Sequence, residues 1–220
     1  MSSLLKAALE AQIIDQELEI EYSYFLKVTQ EQLDKLLNSG GVSKSLLFSE
    51  SKLSKTARIR HYLEKDGDQF ELTTKTKSDV TKGKIEDNDE ICLANYNTLL
   101  AMSNSTVVRN RLYIPVIVGG EPVKREDGSP LQWEVDLYID ARNVGNGGSN
   151  LTHPWIKIEL EVDKATLPNV IKYIPFEYDE LIHSDSTDEV VRAFIGNLYD
   201  NDYNVQGVYT ADTLRLTFNK

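Results

Sequence analysis

Glu17, Glu19 and Glu21 fall at every second position of "ELEIEY", a stretch that otherwise reads as a buried strand. Successive strand side chains point to opposite faces, so the three carboxylates share one face, while Leu18, Ile20 and Tyr22 share the other. Same-face neighbours lie roughly 7 Å apart, close enough for like charges to repel. Such a row needs a counter-charge, and the chain carries cations in the same alternating pattern. Arg58 and Arg60 oppose Ala57 and Ile59; Lys75 and Lys77 share a face with Glu71 and Thr73; Arg109, Arg111 and Tyr113 oppose Val108, Leu112 and Ile114. Further acids follow. Glu134 and Asp136 oppose Trp133, Val135 and Leu137, and Lys157, Glu159, Glu161 and Asp163 oppose Ile156, Ile158, Leu160 and Val162.

A charged sheet face in water is the ordinary reading of any one such strand. The set is less ordinary, because the signs are segregated: acids on the first and last strands, bases on the hairpin between and its successor. If the sheet curves until it closes, the charged face becomes a lumen with arginines and lysines on one wall and glutamates on another. A metal-bound polyphosphate matches that wall pattern. Guanidinium and ammonium groups hold phosphate oxygens, and Mg²⁺ or Mn²⁺ bridges them to carboxylates.

The elements that must position these residues are legible from periodicity. Leu4, Leu5, Ala8 and Leu9 predict a short helix over 3–14, and a strand follows over Glu17–Leu26. "TQEQLDKLLNSGG" carries a capping box (Thr29, Gln32), an apolar stripe (Leu33, Leu36, Leu37) and a glycine stop at Gly40. Strands are expected over 45–51, at 57–77 as a hairpin turning at Asp66–Gly67, and over 83–88, 107–118, 132–140 and 155–163. A helix is expected over 90–102. The connections "GGEPVKREDGSP" and "ARNVGNGGSNLTHP" read as surface loops. From about 164 the pattern is mixed, with a helix over 187–201 and a last strand over 213–218. About eight strands and few helices give an α+β chain of one domain, 1–220, whose sheet is largely antiparallel and curved or closed with helices outside. Its core strands span about 17–163, and 164–220 form a mixed helical segment.

Composition narrows the function. The chain has 220 residues and a formal charge of −11, which argues against general nucleic-acid or anionic-membrane binding. The single Cys92 excludes an internal disulfide, suits a reducing compartment and is expected to be a buried apolar residue. The opening residues resemble neither a signal peptide nor a membrane span, so a cytoplasmic location is expected. No GxxxxGK[ST] occurs, and "GNGG" (145–148) lacks the lysine of a P-loop. His61, His153 and His183 lack zinc-ligand spacing; His61 faces away from Arg60, toward packing. Ser184 and Ser186 have no histidine placed to activate them, and Ser186 or Thr187 reads as an N-cap.

In order and spacing these segments resemble the CYTH family, the triphosphate tunnel metalloenzymes. "EIEYSYFL" (19–26) is similar to the family's ExExK strand, "RIR" (58–60) and "LTTK" (72–75) to its RxR and LTxK pair, and "KIEDN" (84–88) faintly to its RxExE. "RNR" (109–111) resembles its KxR, "EVD" (134–136) its acidic strand and "ELE" (159–161) its late ExE. The resemblance covers about 17–163. It implies a closed antiparallel eight-stranded β-barrel, a tunnel with helices packed outside. It implies Glu19, Glu21, Glu159 and Glu161 as ligands of Mg²⁺ or Mn²⁺, with Asp136 holding a second metal or orienting water. Arg58, Arg60, Lys75, Arg109 and Arg111 would grip phosphates, with Lys75 and Asp136 closest to catalysis. Two departures stand out: Ser23 occupies the lysine position of ExExK, with Lys27 and Lys77 as substitutes, and Asn88 replaces an acid. The family's C-terminal basic residue has Lys164, Lys172 and Arg192 as candidates. The implied activity is metal-dependent hydrolysis of inorganic tripolyphosphate, a nucleoside triphosphate or thiamine triphosphate. The alternatives are a class IV-like adenylate cyclase and a non-catalytic phosphate-ligand binder. The implied partner is a small-molecule polyphosphate or nucleoside triphosphate, with the chain a monomer or homodimer.

Overall fold

Alternation of apolar and polar residues is carried directly into strands in the computed structural model, which describes residues 20–64, 67–77, 84–103, 105–138, 154–162, 169–184 and 188–193. In chain order these are β1 (Ile20–Lys27), α1 (Gln30–Asn38), β2 (Lys44–Lys52), β3 (Ala57–Glu64), β4 (Gly67–Lys77), β5 (Lys84–Glu90), α2 (Leu93–Leu100), β6 (Ser105–Pro115), β7 (Ile117–Val118), β8 (Glu121–Pro122), β9 (Gln132–Tyr138), β10 (Trp155–Val162), a 3₁₀ turn (Val170–Tyr173) and β11 (Glu180–His183). One sheet has the order β11-β1-β10-β9-β6-β2-β3-β4-β5, and β7–β8 form a separate hairpin. Every neighbouring pair in the large sheet is antiparallel.

The expected antiparallel, β-rich α+β architecture is therefore present. The count differs: the large sheet has nine strands, because β11, unexpected from the sequence, adds to β1 with His183 opposite Tyr24 and Glu180 opposite Lys27. Among the described residues no ladder joins β5 to β11, so backbone pairing does not close the sheet there. The predicted strand 107–118 breaks after Pro115, and Gly119 and Gly120 take φ of +63° and +90° to turn the β7–β8 hairpin.

The apolar sheet face is covered by helices. Tyr24, Leu26, Trp133, Val135, Leu137, Ile156, Ile158 and Leu160 pack in one cluster with Leu33 and Leu36 of α1. That helix starts where its capping box completes: the Thr29 amide donates to Gln32 Oε1 at 2.8 Å, and the Gln32 amide donates to Thr29 Oγ1 at 3.2 Å. Gly40, at φ +72°, lets the chain leave it. On the other half, Tyr96 and Leu100 of α2 cover Ile59, Phe70 and Leu72. His61 is buried there as expected, stacked on Phe70 at 4.7 Å and paired with Asp68 at 3.0 Å.

Two expectations need correction. The helix expected over 90–102 is only Leu93–Leu100, since Glu90 is still paired to Glu71 in the ladder. Cys92 is exposed rather than buried, because it occupies the N-cap position of α2 at the sheet edge. The β3–β4 register closes on Glu64 opposite Gly67, so the hairpin is present, although Asp66 lies outside the described residues. Also outside them are the expected helix 3–14, the strand 213–218, the 145–148 loop, His153, Ser186, Thr187 and most of the expected helix 187–201. At the start of that last segment Asp188 Oδ1 accepts from the Val190 and Val191 amides, the capping role expected of Ser186 or Thr187.

Candidate functional site

Register, set strand by strand, gathers the ionised residues on one face. From β2 outward, Glu50 lies opposite Arg60 and Phe48 opposite Tyr62 on β3; across the other edge Phe48 lies opposite Arg109 and Leu46 opposite Arg111 on β6. Arg111 faces Asp136 on β9, Asp136 faces Lys157 on β10, and Glu159 faces Ser23 on β1. The alternation read from the sequence therefore holds for these residues: they share one side of the sheet and the core lies on the other, where Asp68 is paired to the buried His61.

One half of this face is built around buried carboxylates holding guanidiniums. Glu50, 2% exposed, sits 2.8 Å from Arg60 Nε and 3.6 Å from both Arg58 and Arg109. Asp136, 1% exposed, accepts from Arg111 Nε at 2.6 Å and Nη2 at 2.8 Å, with Arg109 at 3.4 Å. Arg111 also bonds Glu134 and reaches Glu159 at 3.6 Å. Phe48 lies between the two sets, with the Arg60 and Arg111 guanidiniums 5.5 and 5.6 Å from its ring centre. Burial alone would raise the Asp136 carboxyl, but Arg111 and Arg109 hold it below the usual range. Burial likewise disfavours the Arg111 cation, and Asp136, Glu134 and Glu159 more than compensate. At the outer edge Glu86 bridges Arg58 and Lys75, each at 2.7 Å; burial opposes its charge, and those cations lower its pKa.

The other half is carboxylate against carboxylate. β1 and β10 put Glu21 opposite Glu161 and Ser23 opposite Glu159. The hydrogen bond between Glu21 and Glu159, with burial and the Glu159 charge added, lifts the Glu21 pKa to about 7. Glu159 goes the other way: burial opposes its ionisation, but Lys157, Glu21 and Arg111 lower it. Lys157 Nζ is bonded directly to Glu159, and Ser23 Oγ reaches the same carboxylate at 3.5 Å. Glu161 is half exposed, 3.9 Å from Arg125.

Most of the residues singled out in the sequence are thus brought onto one surface. Arg58, Arg60, Arg109 and Arg111 converge around Phe48 and Glu50; Lys75 joins them at the edge; Glu21, Glu159 and Glu161 line the β1–β10 side. Asp136 lies beneath the arginines, both oxygens engaged by them. Glu19 lies outside the described residues, as does the side chain of Lys77, whose backbone pairs with Lys84. Lys27 pairs with Trp155 and Glu180 at the strand end, away from Ser23. Lys172 stacks on its neighbour Tyr173 at 4.9 Å, and Lys164 lies outside the described residues. Sequence reasoning passed over Glu50, Phe48 and Tyr62. Strand parity within "SLLFSES" was a usable signal, since it sets Leu46, Phe48 and Glu50 on one face of the strand.

For a hard divalent ion the β1–β10 donors fit in type, since Glu21 and Glu159 are carboxylates already in contact. Among the described residues no group of three or more His, Cys, Asp or Glu is gathered tightly enough to count as a metal cluster. A hollow of about 220 Å³ lies beside Glu21, Ser23 and His183. A larger one of about 330 Å³ lies between Phe48, Arg60, Tyr62, Gln69, Arg111 and Tyr113.

Fold and site define an antiparallel β-rich α+β protein with one mixed-charge sheet face. No helix among the described residues is long and apolar enough to cross a membrane. No protein-family model matches the chain, and no curated protein matches it. Solved structures that it resembles include the PH1819 protein of Pyrococcus horikoshii, 17% identical over 90% of this chain and 98% of that one, TM-score 0.39. Another is a Hippeastrum protein described as a candidate adenylyl cyclase with a dominant triphosphatase activity, 18% identical over 80% and 96%, TM-score 0.39. A third is a conserved hypothetical protein of Pyrococcus furiosus, 14% identical over 66% and 81%, TM-score 0.37. With TM-scores below 0.5, these likenesses establish neither fold nor activity for the present chain.

Proposed function

We propose that the charged face binds a triphosphate and hydrolyses its terminal anhydride with Mg²⁺ or Mn²⁺, as in the CYTH family, the sheet wrapping the substrate as a tunnel in the cytoplasm. One observation carries the reading: β3 and β6, the two neighbours of β2, deliver Arg58, Arg60 and Arg109 to the buried Glu50, and Arg60 and Arg111 to Phe48, two residues along the same face. Guanidiniums held this way are already ordered, so gripping phosphate oxygens costs little further entropy. Arg60 and Arg111, with Lys75 at the edge, would bind the phosphoryl oxygens and offset the charge that grows on them. Glu21, Glu159 and Glu161, with Glu19, would hold the divalent ion, which when bound supplies charge neutralisation between carboxylate and phosphate. Asp136 would keep Arg109 and Arg111 aimed, in addition to the metal or water role its position in the motif implies.

Incubation with ATP, thiamine triphosphate and tripolyphosphate in Mn²⁺, followed by phosphate release, tests this. Phosphate with ADP from ATP supports the hydrolase, whereas cyclic AMP with pyrophosphate moves the assignment to a cyclase. A binding-only reading is favoured by Ser23, which brings a hydroxyl where the motif has an ammonium. Tight tripolyphosphate binding without turnover in any of several metals would establish that reading instead.

A further inference from the structure

Lys157 stands on the charged face at the border between its two halves. It lies opposite Asp136 on β9 and Phe25 on β1. Along β10 its same-face neighbours are Trp155 on one side and Glu159 on the other. Trp155 is 8% exposed and packs with Phe25, Ile182 and Val191, so that side offers an ammonium nothing. Asp136 has both oxygens bonded to Arg111. The Lys157 side chain, 15% exposed, bonds Glu159 Oε1, the oxygen that Ser23 Oγ also reaches from β1 at 3.5 Å. A side chain of β10 thus brings an ammonium to the place where β1 brings only a hydroxyl.

That contact sets two cations in competition. A divalent ion held by Glu21, Glu159 and Glu161 needs the Glu159 oxygens, and an ammonium on one of them repels it. Arg111 Nη2 already stands 3.6 Å from the other oxygen, Oε2. A Lys157 that gives up Glu159 keeps its charge in a largely buried place and needs another anion within reach. Its ammonium is a compact charge on a flexible stem with rotatable donors, so it can be re-aimed where a doubly bonded arginine stays put. On the reading above, the anion beside the ion is a phosphate oxygen.

We infer that Lys157 is a phosphate-binding residue of this face, exchanging Glu159 for a ligand phosphate oxygen once Glu159 holds the divalent ion. The inference rests on the triphosphate reading and supplies from β10 the cation that Ser23 leaves out of β1. Ion and phosphate are then coupled through one side chain, which opposes the first alone and holds the second when both are present.

Titration calorimetry on the intact chain tests this with two probes, Mn²⁺ alone and tripolyphosphate in saturating Mn²⁺. Lys157→Met keeps the stem and removes the charge. It is expected to bind Mn²⁺ alone about threefold more tightly. It should bind tripolyphosphate about tenfold or more weakly, the loss of one charge-assisted bond. Adding Ser23→Lys to Lys157→Met is expected to return both affinities toward those of the unaltered chain, since the new ammonium meets the same Glu159 oxygen. Ser23→Lys alone, which reads out whether or not Lys157→Met folds, should raise tripolyphosphate affinity by less than about threefold, the place being already served. A larger gain there would overturn the assignment. So would tripolyphosphate affinity unchanged in Lys157→Met, or Mn²⁺ and tripolyphosphate affinities that fall together. Each of these leaves the triphosphate reading standing. Failure of tripolyphosphate to bind the unaltered chain would remove the two together.

Discussion

The two halves of the charged face are made of the same material and behave oppositely. Around Glu50 and Asp136, antiparallel register places each carboxylate against guanidiniums from neighbouring strands, and burial is compensated by attraction. Around Glu21 and Glu159, the same kind of register places Glu21 opposite Glu161, and the hydrogen bond to Glu159, burial and the Glu159 charge push the Glu21 carboxyl up to about 7. Parity sends a side chain to the charged face in both cases. The identity of the residue across the ladder then decides whether the charge stabilises the fold or stores repulsion there. A structure with repulsion concentrated at one end and paired cations at the other has the asymmetry that an anion bridged by a cation would relieve.

The sharpest way to break this contrast is to remove the carboxylate at the paired end. Glu50→Gln leaves Arg58, Arg60 and Arg109 without their shared counter-ion in a buried place, at a cost of about 3–5 kcal/mol. Denaturant unfolding should show it. Glu161→Gln at the other end should stay within about 0.5 kcal/mol, since Glu161 is half exposed and its contact with Arg125 is long, at 3.9 Å. Equal costs for the two would mean that the halves do not differ as described.

Ligand affinity is the next largest effect. Arg58→Ala and Arg60→Ala should each weaken tripolyphosphate binding by about 1.5–3 kcal/mol, the worth of a charge-assisted hydrogen bond. Calorimetry would read it, and unchanged binding in both variants would remove the β3 arginines from the site.

At the carboxylate end, Mg²⁺ or Mn²⁺ should raise the melting temperature, and tripolyphosphate should raise it further by linkage, by about 2.7 kcal/mol when present at a hundred times its dissociation constant. Glu159→Gln combined with Glu161→Gln should abolish phosphate release. The same double variant should lose the metal-induced rise, and its metal-free melting temperature should fall, because Glu159→Gln removes the carboxylate bonded to Lys157 and facing Arg111. A metal response that survives the double variant would place the ion elsewhere.

The smallest effect is in pH. The Glu21 pKa is raised in the folded state, so its stabilising contribution is fully present below about pH 4.5 and is lost as pH rises through about 7. Glu86 and Asp136 have lowered values and act in the opposite sense, contributing above their ordinary range and losing that contribution as pH falls through their folded values. Glu134, raised by burial, acts in the same sense as Glu21, so melting curves between pH 5 and 8 should slope downward, and Glu21→Gln should reduce that slope. A slope unaltered by the substitution would put the shared proton on another group.

The sequence by itself determined which residues face which side. Strand alternation is a two-residue property, so Arg58, Arg60, Arg109, Arg111, Asp136, Glu159 and Glu161 could be assigned to one face from their own neighbours alone. The α1 cap and its glycine stop were equally local and equally readable. Other features depended on partners far along the chain. Glu50 became a hub only because β3 and β6 flank β2, bringing residues 58, 60 and 109 to position 50. Lys157 met Ser23 at Glu159 through the pairing of β10 with β1. Cys92 was exposed because the β5 ladder runs on to Glu90 and leaves the cysteine to start α2 at the edge. Side-chain direction is fixed by the backbone torsions of a few residues, whereas a cross-strand neighbour is fixed by register between segments separated by tens of residues. Only the folded sheet sets that register.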